Sequence, residues 1–141
     1  MTVIAVRDGI MAVDSHILAG GVVHGSAKKW RKVPHFPGGY VAGAGDFALV
    51  TKMMDEFISS QKIDGHDGST LVHMRGDGTV QVFETHGWFE FDAPFYAGGS
   101  GEVIALSAMM AGASAQRAAE IACEISQTCG GDVHILKAAS E

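Results

Sequence analysis

The chain has 141 residues, 47% of them hydrophobic, and a formal net charge of −6. That length fits a single domain, residues 1–141, with apolar content enough for a core and none of the composition of a disordered chain. The negative balance argues against nucleic acid or an anionic membrane surface as the main partner, and no apolar stretch is long enough to span a bilayer.

Residues 2–7 alternate as a strand, and Arg7 and Asp8 interrupt the apolar run too early for a signal peptide. Asp8-Gly9 is the strongest short hairpin signal in the chain, with residues 10–15 returning as the partner strand. Residues 17–25 read as a glycine-bearing connection, 28–33 as a strand, 34–39 as a turn and 40–44 as a strand of small residues. Taken alone, the basic run Lys28-Lys29-Trp30-Arg31-Lys32 reads as a solvated strand face.

Gly45-Asp46 opens a helix with Asp46 as N-cap. Val50, Met53, Met54, Phe57 and Ile58 recur at helical spacing and form a core-facing stripe, and the helix ends near Gln61. Asp64, His66 and Asp67 belong to a polar turn rather than a metal site, because no further ligands follow at a matching spacing. Residues 71–75 and 79–84 form a second hairpin around Asp77-Gly78, and 88–91 a further strand. Ala97-Gly98-Gly99-Ser100-Gly101 leads into a helix ending near Gly112. Ser114 caps another that runs to about Thr128, with Ala118, Ile121, Ala122 and Ile125 on one face, and Gly130-Gly131 stops it. Residues 132–137 make a last strand. Cys123 and Cys129 read as free thiols of a reduced, cytoplasmic chain. Strands and helices in separate blocks predict an α+β domain of antiparallel sheets covered by helices.

Thr2 is the first chemical candidate. Without Met1 it supplies a hydroxyl nucleophile and a free α-amine whose reference pKa of about 8 makes it a usable base. The plain alternative is an ordinary strand threonine. A two-residue turn at Asp8-Gly9 places Thr2 opposite Ser15 and Val3 opposite Asp14, so Asp14 shares the hairpin end with Thr2. Lys29 on the next strand candidate is a cation able to lower a hydroxyl pKa and to be held by a carboxylate. Read separately, Asp14 is a strand-end turn residue and Lys29 a surface residue. Gly45 precedes a capped helix start, where unpaired N–H groups and the helix dipole favour an oxyanion. Ser100 is either a helix N-cap or a supporting hydroxyl.

These pieces, in order, resemble the proteasome β-subunit family and its HslV-type members. The matching segments are Thr2-Val3-Ile4-Ala5-Val6-Arg7 with Asp8-Gly9 and Met11-Ala12-Val13-Asp14, then Lys28-Lys29-Trp30-Arg31-Lys32 and Val41-Ala42-Gly43-Ala44-Gly45-Asp46. Gly99-Ser100-Gly101 and Gly130-Gly131-Asp132-Val133 follow. The resemblance implies a four-layer αββα sandwich, the N-terminal-nucleophile hydrolase fold. It implies Thr2 as nucleophile, Asp14 as the acid, Lys29 as the pKa-lowering lysine, Gly45 N–H in the oxyanion hole and Ser100 as supporting hydroxyl.

The implied activity is that of a threonine-type amidohydrolase, an HslV-like peptidase acting on peptide or protein substrates without a cofactor. A homo-oligomer, with a ring as its geometry, is implied, and an ATP-dependent unfoldase partner by analogy. Two alternatives stay open: a small-amide hydrolase of the same fold, and a catalytically silent assembly protein that keeps Met1. The chain departs from the family pattern in three places. Its first hairpin is shorter, a single helix follows Gly45, and Ser126 and Cys129 stand where the proteasome has an acid and a serine.

Overall fold

The computed structural model describes residues 1–60, 63 and 68–138. The predicted turn with Asp64, His66 and Asp67, and the helix end at Gln61, lie outside the described residues.

The first hairpin joins β1 (Ile4–Arg7) to β2 (Ile10–Val13). Asp8 and Gly9 both take positive φ, 55° and 72°, which matches the twist of the flanking strands. The register pairs Ile4 with Val13 and Arg7 with Ile10, as the two-residue turn predicts. Residues 17–25 are not a plain connection. β3 (His16–Ala19) and β4 (Val22–Ser26) form a hairpin of their own, turned by Gly20 and Gly21 at φ 57° and 75°. The glycine pair between apolar runs is the same turn chemistry as Asp8-Gly9.

β5 (Trp30–Lys32) and β6 (Tyr40–Ala44) precede α1 (Phe47–Ser60), whose first turn is capped by Asp46 Oδ1 accepting from Leu49 N at 3.0 Å. β7 (Thr70–Met74), β8 (Val80–Glu84) and β9 (Gly87–Phe91) follow. Phe95–Gly98, with Ala97 and Gly98 expected as part of a lead-in to a helix, is strand β10 and pairs with β1. α2 (Glu102–Met110) and α3 (Ala115–Ile125) come next, then β11 (His134–Lys137). Ser114 caps α3 by accepting from Arg117 N, but the helix stops at Ile125, short of Thr128, and Ile125 is exposed rather than on the buried face. The buried face is Ala115, Ala118, Ala119 and Ala122, small enough to lie close against a sheet.

All strand pairs are antiparallel. One sheet has the order β10-β1-β2-β11 and another β5-β6-β7-β8-β9, with β3-β4 as a separate ribbon. Strand alternation sends successive residues to opposite faces. Ala5 and Ala12 thus meet Met109, Ala118 and Ala122 of α2 and α3. Ile4, Val6, Met11 and Val13 meet Ala42, Val72, Met74 and Val82 of the five-stranded sheet. The other face of that sheet, with Val41 and Leu71, packs on Val50, Met53, Met54 and Phe57 of α1. Among the described residues no helix is long and apolar enough to cross a membrane.

Candidate active site

The residue after β2 is Asp14, fully buried, and it continues the hairpin by side chain as well as backbone. Its N–H donates to Val3 O at 3.3 Å, while its Oδ1 accepts from Val3 N at 3.1 Å. Lys29 Nζ reaches both carboxylate oxygens at 3.0 Å, and Gly130 N donates to Oδ2 at 3.0 Å. The lysine side chain is 2% exposed and the aspartate 0%. Burial of such a pair is tolerable because every acceptor site of the carboxylate is used. The reading of the basic run as a solvated face therefore fails at Lys29. Lys28 is exposed, with its Nζ 4.6 Å from the centre of the Trp30 ring, while the next residue points inward.

The third proton of Lys29 goes to Met1 O at 2.8 Å. Thr2 follows, buried, with its N–H donating to Ser100 Oγ at 3.0 Å. Ser100 Oγ donates back toward Thr2 O at 3.3 Å, and Gly101 N donates to the same oxygen at 3.1 Å. The N-cap reading of Ser100 does not hold: the N-cap of α2 is Gly101, without a side-chain cap bond. Gly99 lets this close approach happen. A Cβ there would lie 2.3 Å from Thr2 O, and its φ is 87°.

Gly45 lies at the mouth of the same cleft, between β6 and α1. Its φ of 135°, and the 2.5 Å that would separate a Cβ from Ser69 Oγ, restrict the position to glycine. The cleft holds about 270 Å3, lined by Thr2, Lys29 and Gly45 with His16, Leu18 and Phe47. The wall made by β3 was missed in the sequence, and the overlooked signal was Gly20-Gly21 between apolar runs. A larger surface hollow of about 830 Å3 lies beside Asp8 and Asp77, at the far end of the first hairpin from Thr2. It touches none of these groups, so volume alone does not mark the site.

Behind Asp14 the chain turns through Ser126, Thr128 and Cys129. Ser126 Oγ and Thr128 Oγ1 share a hydrogen bond of 2.6 Å, and Ser100 Oγ lies 3.5 Å from Thr128 O. Cys129 is a buried free thiol, held below its ordinary pKa chiefly by a hydrogen bond with Cys123, whose own thiol that bond raises. The role of Gly130 N–H as a ligand of Asp14 was legible in the sequence only as a helix stop. Among the described residues no group of three or more His, Cys, Asp and Glu side chains could hold a metal ion.

The five sequence candidates thus converge: Thr2, Lys29 and Gly45 on one cleft, with Asp14 beneath Lys29 and Ser100 on the Thr2 amide. What the arrangement offers chemically is a threonine, a fixed ammonium and a glycine before a helix start, all lining one cleft.

No family model matches the chain, and no curated protein matches its sequence. Solved structures do. BPH of Thiobacillus denitrificans in complex with epoxomicin superposes with a TM-score of 0.71 at 22% identity, covering 99% of this chain and 100% of that one. BPH described without that compound gives 0.71 and 22%, covering 100% of both chains. Eukaryotic HslV from Trypanosoma brucei gives 0.69 at 18% identity, over 97% of this chain and 99% of that one.

Proposed function

This chain has the fold of HslV and BPH, and on that premise we propose that, once Met1 is removed, it is an N-terminal-threonine amidohydrolase cleaving peptide bonds. The observation that carries the reading is Lys29 lining one cleft with Thr2 and paired beneath it with the buried Asp14, with Ser100 on the Thr2 nitrogen. A wholly buried ion pair is a poor way to gain stability over apolar packing, so its place beside a terminal hydroxyl points to chemistry.

In this reading the Thr2 hydroxyl attacks the scissile carbonyl while the Thr2 α-amine takes its proton. The Lys29 ammonium favours the developing alkoxide, and Asp14 holds that ammonium in place. The Gly45 N–H receives the oxyanion. The protonated α-amine of Thr2 then returns the proton to the leaving amine, and water, deprotonated by the same α-amine, hydrolyses the ester on Thr2. Ser100 orients the α-amine. No cofactor takes part. While Met1 is attached, the Thr2 nitrogen is an amide without a basic lone pair, and the Met1 carbonyl occupies the third Lys29 proton. The silent form and the active form therefore differ by one residue.

The three packed clusters support a four-layer αββα sandwich in one domain. Val103, Leu106 and Met110 are exposed on α2, whose polar residues are Glu102 and Ser107 alone, which supports a homo-oligomer; the ring geometry rests on analogy of fold. A cytoplasmic location fits the two free thiols. An ATP-dependent unfoldase partner is part of the same reading, by analogy of fold.

The test is mass spectrometry of Met1-free protein treated with epoxomicin, the compound in the BPH complex. The expected result is one adduct per chain on Thr2, lost in Thr2→Ala and kept in Thr2→Ser. An adduct elsewhere, or equal reaction of the Met1-bearing form, overturns the reading.

A further inference from the structure

Two bonds cross between the sheets at neighbouring positions. One is the Lys29–Asp14 pair. The other joins Trp30 Nε1 to His134 Nδ1 at 2.9 Å. Trp30 follows Lys29 directly and opens β5, an edge strand of the five-stranded sheet. His134 opens β11, an edge strand of the four-stranded sheet, and pairs with Val13, the residue before Asp14. The two bonds therefore tie consecutive residues, Lys29 and Trp30, to two neighbouring segments of the four-stranded sheet, the end of β2 and the start of β11.

The tie matters because Lys29 has little else to hold its backbone. It precedes a strand of three residues with a neighbour on one side only, and the bond from Gly43 N to Lys29 O is long, at 3.3 Å. The indole is packed edge-on against Tyr40 at 5.7 Å and against the His134 ring at 6.1 Å, so it transmits a displacement rather than absorbing it.

We infer that Trp30 and His134 are positioning residues for the Lys29–Asp14 pair. An indole N–H only donates, so Nδ1 of His134 is the acceptor and carries no proton while the bond is made. The bond fixes the residue after Lys29 against β11, whose first residue pairs with the one before Asp14, and loss of either partner frees the segment that carries Lys29.

This inference deepens the Thr2 reading, and its test has arms that do not depend on it. In 15N-labelled Met1-free protein, with Trp88→Phe to assign the second indole, the Trp30 Nε1–H and Lys29 ammonium resonances are compared between the parent and the His134 and Trp30 variants. Both are expected to shift in His134→Ala. Trp30→Phe should shift the Lys29 resonance and lower the rate of Thr2 adduct formation about 3- to 10-fold, as loss of one hydrogen bond would. His134→Ala should lower the rate by a similar factor. His134→Asn, which puts an acceptor oxygen at the Nδ1 position, should restore the rate to within about twofold of wild type and return both resonances toward their parent positions. An indole resonance unmoved by His134→Ala overturns the latch. A Lys29 resonance unmoved by Trp30→Phe, or a rate in His134→Asn no better than in His134→Ala, overturns the positioning role. Absence of any adduct in every form rejects the Thr2 reading while the two resonances still decide the latch.

Discussion

Asp14→Ala removes a fully buried carboxylate that accepts four contacts, two from Lys29 Nζ and one each from the backbone of Val3 and Gly130. The ammonium left behind keeps only Met1 O, a carbonyl that departs with Met1. Deleting one partner of a buried pair costs roughly 3–5 kcal/mol, because the other charge stays buried and uncompensated. Lys29→Met creates the opposite imbalance, but a softer one. Asp14 then retains two backbone N–H bonds, each of the charged kind that contributes about 1.5–3 kcal/mol. Asp14→Ala should therefore destabilise the Met1-free protein by about 5 kcal/mol and Lys29→Met by about 3. The double variant should recover much of the Asp14→Ala loss, since no charge remains buried. Urea unfolding of the three variants at one fixed protein concentration measures this directly. The reasoning is refuted if Lys29→Met costs more than Asp14→Ala, or if both cost under about 1 kcal/mol, the range of a surface pair.

Three further outcomes are expected. Lys29→Ala abolishes turnover of an activated peptide amide while Lys28→Ala leaves it within about twofold, because the cation–π contact of Lys28 is exposed and worth little; equal effects would contradict the observed facing. Gly45→Ala meets both an unfavourable φ and the backbone oxygen of Gly68, 2.9 Å from the new Cβ. It should cost on the order of 1–3 kcal/mol in unfolding and remove the epoxomicin adduct, whereas a stable, reactive variant would place the oxyanion donor elsewhere. His73 lies on β7 with its ring 4.9 Å from Phe57, and burial holds its imidazole below the ordinary 6.5 despite the bond to Gly38 O. A lowered folded-state value means that the unfolded chain binds the extra proton first, so stability is complete above about 6.5 and declines as pH falls below it toward the folded-state value. Thermal unfolding of His73→Gln should show a smaller drop between pH 7.5 and pH 5 than wild type; an equal drop would assign the acid sensitivity to other groups.

Local rules carried the sequence a long way here. Asp8-Gly9 determines the first hairpin register, because a two-residue turn with both φ positive admits one pairing, and that pairing sets Val3 against Asp14. The helical period of Val50, Met53, Met54 and Phe57 and the cap at Asp46 determine α1, and the strand period at Lys28 and Lys29 sends them to opposite sides. The same rules cover the β3–β4 ribbon, where Gly20-Gly21 turns a stretch whose glycine content reads as a connection. Other features have no local signature at all. Ser100 meets the Thr2 nitrogen across 98 residues and Gly130 meets Asp14 across 116, and a serine at that spot reads equally well as a helix cap. The pairing of β10 with β1 and the bond from Trp30 to His134 likewise depend on which sheet edge lies over which. Turn type and periodicity are decided by energies between near neighbours in the chain, so the sequence determines them by itself. Which buried polar groups satisfy one another is decided by the packing of whole sheets, and only the tertiary structure brings those partners within reach.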